Sequence, residues 1–578
     1  MAVGTARVAR IGVPRLRLEA RPLLIVFTVG LLSFVVLYPI IILLINSFVI
    51  TRPFEPPQYG LKSWQYAVSD RGMLLAMWNT VQLAFVHQAI SLPLAIFIAW
   101  LLGRTNIPWA RGLEFFFWLT FFMPTIPTIQ AWILLMDPNY GIANKFIAGL
   151  LGADKGPFNV FSFWGIVWMH LVTSTIAVKV MLFTPAFSNL DATMEEASTV
   201  SGAGVFHTLR KVTAPLLTPV LMTVIVLAIV RAFQAVEIEL VLGMPINLFV
   251  FGSKIYDLTR SAPPDYGAAT AMGTYCMLLM VPLIILHRHM TTGRRFTSIT
   301  SAFKPQPINL GAWRWPAFSF VLAIGLIMTV VPIVFLLMGS FMRIYGVFEV
   351  PTGTWTTDHW RNVMNDAAFG TMLKNTLLFA LGGSTLSAVV YTIVAYVLVR
   401  FRFRLRGLAD TLTWIPAALP GILIALAWFW IFLRTPFLQP LYGSVWALVL
   451  VSGLSGMTLA VQLLKSGMQQ MGAELEEAAE ISGGSWLATM RDVVLPLLMP
   501  TMVVLWVINF VAAAGNAILP ALLATPASKP LALRQLEYVL SGDMERGSII
   551  GILILALNIG VAIAARLLGF RVGLNRIL

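Results

Sequence analysis

The feature that most limits what this chain can fold into is a succession of long apolar runs, each close to the roughly 20 residues a helix needs to cross a bilayer. Twelve are found, near 23–47, 79–102, 112–136, 163–187, 216–243, 268–287, 318–340, 376–399, 410–433, 444–465, 497–522 and 548–569. Within lipid a backbone must satisfy its own hydrogen bonds, so such runs fold as helices. Composition agrees: 11% of residues are charged and mean hydropathy is +0.84, against about 25% charged in soluble domains. The expected fold is an all-α membrane protein.

The formal charge of +14 would suit nucleic acid, but the bases sit in short segments beside apolar runs, the pattern of membrane topology. Residues 1–22 carry Arg7, Arg10, Arg15 and Arg17 before an apolar stretch too long for a signal peptide. They are expected to form a cytoplasmic arm ahead of a retained helix. The positive-inside rule then puts Arg400, Arg402, Arg404, Arg406, Arg566, Arg571 and Arg576 in the cytoplasm with both termini. Cys276 is the single cysteine, so neither an internal disulfide nor a cysteine metal cluster is possible.

The runs divide six and six around a basic, proline-bearing linker at 288–317, leaving a first half at 23–287 and a second at 318–578. The halves repeat. YPIIILLINSF at 38–48 resembles VPIVFLLMGSF at 331–341, matching Pro39 to Pro332. At a shift of 296, Trp64 falls on Trp360, Asn79-Thr80 on Asn375-Thr376, Arg104 on Arg400, Pro124 on Pro420 and Trp132 on Trp428. Beyond the third run the shift falls to 281, so the first half carries 15 extra residues, which fit the loop after Asp137. Six spans per half return the chain to one side, making the duplication parallel. The outer loops are long enough to dock a partner.

Between the fourth and fifth runs of each half lies a polar, helix-forming segment, EEASTVSGAGVFHTLRKVTAPLLTP at 195–219 and EEAAEISGGSWLATMRDVVLPLLMP at 476–500. A short helix of Glu and Ala, a glycine that lets the backbone turn, and a proline suited to the first turn of the next helix make a lever attached to a span. The second copy matches a pattern of E-A-A, three residues, Gly, nine residues, an aliphatic, one residue and Leu-Pro through Glu477, Ala478, Ala479, Gly483, Val493, Leu495 and Pro496. The first departs at Ser198 and Ala214 but keeps Glu196, Ala197, Gly202, Val212 and Pro215.

In these segments the chain resembles the binding-protein-dependent ABC importer permeases, whose cytoplasmic EAA loop has this pattern. The resemblance implies the type I importer fold with twelve helices as two six-helix repeats. It implies ATPase-coupling roles for Glu195, Glu196, Ala197, Gly202, Glu476, Glu477, Ala478, Ala479 and Gly483. It also implies as partners two copies of a cytoplasmic ATPase subunit, which would carry ATP and Mg, and a periplasmic or extracellular solute-binding protein. Location would be the bacterial inner membrane. No G-x-x-x-x-G-K-[ST] loop occurs, so the chain itself is not expected to be an enzyme. AFQAVEIELVLG and IYDLTRSAPPDYGAATAMG resemble the ferric-iron group of fused permeases, relatives of which handle thiamine, phosphonates and polyamines. Ferric iron is the first expectation for the solute, then phosphonate or another organic anion, then polyamine or thiamine.

Ionisable residues inside spans are costly and functional by default. Arg231, in the fifth span, is followed outward by Gln234, Glu237 and Glu239, and its repeat counterpart is Ala512. It either lines the solute path or forms an ion pair, for example with Glu237. Asn509 and Asn516 on the eleventh span would line the path or bond between helices. His87 and His170 fit packing histidines better than ligands, and no metal-site spacing is present. The competing class is a twelve-helix secondary transporter. It would rely on intramembrane acids, which are scarce here, and would leave the paired loops without a role.

Overall fold

The computed structural model describes residues 16–51, 56–188, 233–292, 307–348 and 353–567, with scattered positions between 198 and 231. Among these the chain is helical, and the only strand pairing is in isolated bridges. Helices occupy every expected span except the fifth, whose residues lie largely outside the described ones. In the first half they are α1 (Arg21–Asn46), α2 (Arg71–Arg104), α3 (Ala110–Phe122), α4 (Thr125–Met136), α5 (Ile142–Leu151), α6 (Phe163–Ser188), α7 (Phe251–Arg260) and α8 (Tyr266–Thr292). The second half has α9 (Gly311–Phe341), α10 (Phe369–Arg400), α11 (Arg406–Ala417), α12 (Gly421–Arg434), α13 (Val445–Ser455), α14 (Met457–Gln470), α15 (Glu474–Ile481), α16 (Trp486–Ala514), α17 (Leu531–Ser541) and α18 (Met544–Leu567).

Among the described residues, seven helices are long and apolar enough to span a bilayer unbroken, and three bent pairs pass the same test jointly. The third and ninth spans, expected as continuous helices, are therefore corrected: α3 and α4 meet at 103°, α11 and α12 at 110°. The tenth is bent by 50° between α13 and α14. The cause of the two sharp breaks is a matched proline. Pro124 and Pro420 sit just before the second limb with ψ of 148° and 144°, and the preceding Met123 and Leu419 are extended, as steric conflict with a following proline ring demands. The second limbs are mostly apolar and buried on all sides: Ile126 through Leu134 of α4 and most of Ile422 through Phe432 of α12 are in the core.

Each half lends its first span to the other. The C-terminal part of α1 packs on α12, with Tyr38 Oη 2.8 Å from Thr435 Oγ1 and Phe34 edge-on to Trp428 at 5.8 Å. In the mirror arrangement α9 packs on α3 and α4. Other repeated residues prove to be matched fastenings. The Thr80 hydroxyl accepts the Phe251 N–H at the start of α7, and the Thr376 hydroxyl accepts the Leu531 N–H at the start of α17, both at 2.8 Å. Asn79 and Asn375 donate to the chain just before those helices. Trp64 and Trp360 lie against Phe48 and Phe341 at 5.8 and 5.7 Å. The extra residues of the first half include α5, which Asn144 ties down by bonds to Asp137 and Phe158.

Candidate coupling levers and central gate

The second lever is α15 and the turn after it. Its helix ends because Gly483 takes φ +89°, letting the Gly484 N–H close on the Ala479 carbonyl at 3.0 Å. The first copy closes the same way: Gly202 has φ +83° and the Ala203 N–H reaches the Ser198 carbonyl at 3.1 Å. In that conformation any side chain is strained, so glycine is required at both positions. Glu195, Glu196 and Ala197 lie outside the described residues. The departure at Ser198 has a local meaning, since its hydroxyl pairs with that of Thr208 at 2.8 Å. In the second copy Ala479 offers no such partner, and among the described residues the Thr489 hydroxyl is buried without one.

Adjacent glutamates of α15 point in opposite directions. Glu476 is turned inward, 5% exposed, and its carboxylate accepts from Arg400 Nε at 2.6 Å and from the Tyr396 hydroxyl at 3.1 Å. Trp486 donates to Tyr396, and Arg400 also donates to the Met471 carbonyl. The lever is thereby fixed to the end of α10. Glu477, Ala478 and Gly483 face outward, and Ala479 is half-buried. Leu475, Ile481 and Leu487 are also exposed, Ile481 at 86%, so the outer surface combines a carboxylate with bare aliphatic groups. Sequence reasoning missed the anchoring role of Arg400; its repetition at Arg104, which is 2% exposed, was the available signal. The helix after the lever begins at Trp486, well before the proline expected to open it. A π-helical turn at Met490–Val494 precedes Pro496, accommodating the missing N–H and the ring's bulk.

At the centre, the end of each fifth-type span meets the break in the other half. Gln234 donates to the Ala417 carbonyl at 2.8 Å and to that of Leu419 at 3.3 Å, satisfying groups that the α11–α12 break leaves unpaired. Its counterpart is Gly515, where a Cβ would lie 3.2 Å from Pro124 at the α3–α4 break. Glu237 lies near the Thr125 hydroxyl of the first half and the Ala517 backbone of the second. Arg231 lies on the lever side of these contacts and is exposed; among the described residues no ion pair holds it. Asn509 donates to Ser387 at 2.8 Å between α16 and α10, and Asn516 accepts the Leu519 N–H. His87 and His170 stack at 4.6 Å, and His170 Nε2 lies 2.7 Å from Glu239. Among the described residues no cluster of His, Cys and carboxylates suits a metal ion.

Residues 388–574 match the family of binding-protein-dependent transport system inner membrane components, a stretch that takes in Arg400, the second lever and α16. A putative ferric transport system permease of Haemophilus influenzae is 22% identical over 495 residues, 84% of this chain and 74% of that one. The chain is thus similar to ABC importer permeases along most of its length. A ferric transport system permease of Actinobacillus pleuropneumoniae is 22% identical over 66% of this chain and 55% of its own length. A spermidine/putrescine transport system permease of Escherichia coli is 22% identical over 41% of this chain and 88% of its own length. Among solved structures, a bacterial ABC transporter involved in import of the acidic polysaccharide alginate is 15% identical. It covers 44% of this chain and 88% of its own at a TM-score of 0.36. The matched relatives are permeases, and the described residues of this chain hold the long apolar helices of a multi-pass membrane protein.

Proposed function

We propose that this permease imports a small solute, ferric iron first, across the bacterial inner membrane by alternating access driven by ATP hydrolysis on two separate ATPase subunits. The observation that carries the coupling role is α15: a short helix fixed to a span through Glu476 and Arg400 while Glu477, Leu475 and Ile481 stay uncovered. Force applied to its outer surface passes through a buried ion pair into α10. A solute-binding protein would deliver the cargo to the outer loops, and ATP and Mg would belong to the ATPase subunits. In this reading Arg231, exposed on the lever side, and Gln234, which bonds across the halves, belong to a path open toward the cytoplasm and shut outward.

The test is copurification with candidate ATPases. Glu477→Ala combined with Ile481→Asp is expected to weaken ATPase binding by at least tenfold, and adding Glu196→Ala to abolish it. Full binding by the triple variant would overturn the lever reading. Arg231 favours a second ordering of cargo, because an exposed cation at the gate suits phosphonate or another organic anion. Uptake into vesicles of radioactive ferric iron against phosphonate separates the two, and Arg231→Gln should impair the anion more.

A further inference from the structure

The first span of each half ends in the same fold-back. After α1 the Ile50 N–H donates to the Gln58 carbonyl at 3.0 Å and the Gly60 N–H to the Phe48 carbonyl at 2.8 Å. After α9 the Arg343 N–H donates to the Thr354 carbonyl at 2.9 Å and the Thr356 N–H to the Phe341 carbonyl at 2.7 Å. A cleft lies beside each. The first, of about 410 Å³, is lined by Ile45, Phe48, Tyr59 and Leu61. The second, of about 740 Å³, is lined by Leu337, Met338, Phe341 and Trp355 together with Arg343 and Asp358. Val330, Val334, Leu337 and Phe341 are all exposed, and their helical spacing puts them on one face of α9. That bare stripe runs along the span into the second cleft. In a bilayer it meets acyl chains, so the cleft continues the lipid-facing surface to the edge of the membrane, where the exposed ring of Trp355 is suited to lie.

The two clefts differ in charge. Arg343 stands where the first half has Ile50, and Asp358 where it has Lys62, so only the second cleft holds a cation and an anion together. Arg343 Nε donates to the Gly353 carbonyl at 3.1 Å, and the Asp358 carboxylate accepts from the Thr356 hydroxyl at 2.8 Å. Among the described residues neither side chain has an ion-pair partner, although both line the same cleft. A ligand that carries its own anion and cation on a short arm complements that arrangement. The guanidinium fork suits a phosphate, the carboxylate suits a hydrogen-bonding ammonium, and the apolar floor suits a hydrocarbon chain.

We propose that the second cleft binds one phospholipid with a primary ammonium headgroup, phosphatidylethanolamine, from the leaflet at the end of α9 away from the linker. An acyl chain lies along Val334, Leu337 and Phe341, Arg343 holds the phosphate, and Asp358 accepts from the ammonium. Phosphatidylglycerol supplies the phosphate but gives Asp358 no cation, and the quaternary ammonium of phosphatidylcholine has no N–H to donate. A lipid suits the cleft better than a soluble partner because the cleft opens from the span's own lipid-facing stripe.

The test is native mass spectrometry of the delipidated full chain in detergent, titrated separately with phosphatidylethanolamine, phosphatidylglycerol and phosphatidylcholine. One phosphatidylethanolamine should be retained roughly fivefold more tightly than either of the others. Arg343→Gln should weaken it by about the same factor, and Asp358→Asn should abolish the preference over phosphatidylcholine. Lys62→Gln, at the matching position of the first half, should change nothing. Equal retention of the three lipids, or a preference untouched by both Arg343→Gln and Asp358→Asn in chain of unchanged thermal stability, overturns the proposal. So does a dimer mass that Trp355→Asp reduces to a monomer, which would give the cleft to a second copy of the chain. Should Arg343→Gln not fold, an undiminished preference in Asp358→Asn, whose side chain is exposed, is enough to overturn it.

Discussion

A charge taken out of water must be met by an opposite charge or by dipoles, and at the foot of α15 that requirement fixes Glu476 to Arg400 at 2.6 Å with their side chains 7 and 15% exposed. Removing either partner alone strands the other, at a cost of about 3 kcal/mol. Glu476→Ala and Arg400→Ala are each expected to lower the unfolding midpoint and the ATP-coupled uptake rate. The double variant should lose much less than the sum of the two, a non-additivity read by a double-mutant cycle. Additive losses would show that the pair does not act as a unit. The run of glutamates was legible in the sequence as a short helix beside a span, but which glutamate faces in depends on how α15 sits on α10, and only the assembled helices set that. The stacking of His87 on His170 was likewise invisible, because nothing in either local sequence refers to the other.

At the scale of elements, the two breaks at Pro124 and Pro420 explain why some residues of the fifth and eleventh spans must be polar or small. A turn of backbone opened inside a membrane protein needs donors brought to it, and Gln234 supplies them to Ala417 and Leu419. Gly515 instead leaves room for Pro124. Replacing Gly515 by valine is expected to push the two halves apart and cut uptake by more than tenfold, with alanine tolerated far better because its neighbour has to yield only a few tenths of an ångström. Equal uptake by the valine and parent proteins would show that the close approach is not needed. The repeat made both prolines visible in the sequence. The apolar runs around them gave no sign of a break, since hydropathy reads length and polarity and is blind to direction.

Across the whole molecule, the parallel duplication was readable from the recurrence of Asn79-Thr80, Trp64 and Arg104, and Asn79, Thr80 and Trp64 turn out to fasten joints that recur in the second half. What the repeat does not announce is that α1 and α9 cross to the opposite half. A chain divided within the linker and coexpressed as two pieces is therefore expected to copurify as one complex and to keep most of its uptake; pieces that separate in mild detergent would contradict the exchange. The exchange also bears on how the protein is made. Tyr38 finds its partner Thr435 only 397 residues later, so during synthesis α1 waits in the bilayer with its docking face against lipid, whereas α9 emerges when its partners α3 and α4 are already in place. Assembly is thus completed late and from the far end, and a ribosome that stops midway leaves a first helix resting on α8 of its own half while its face for α12 stays bare.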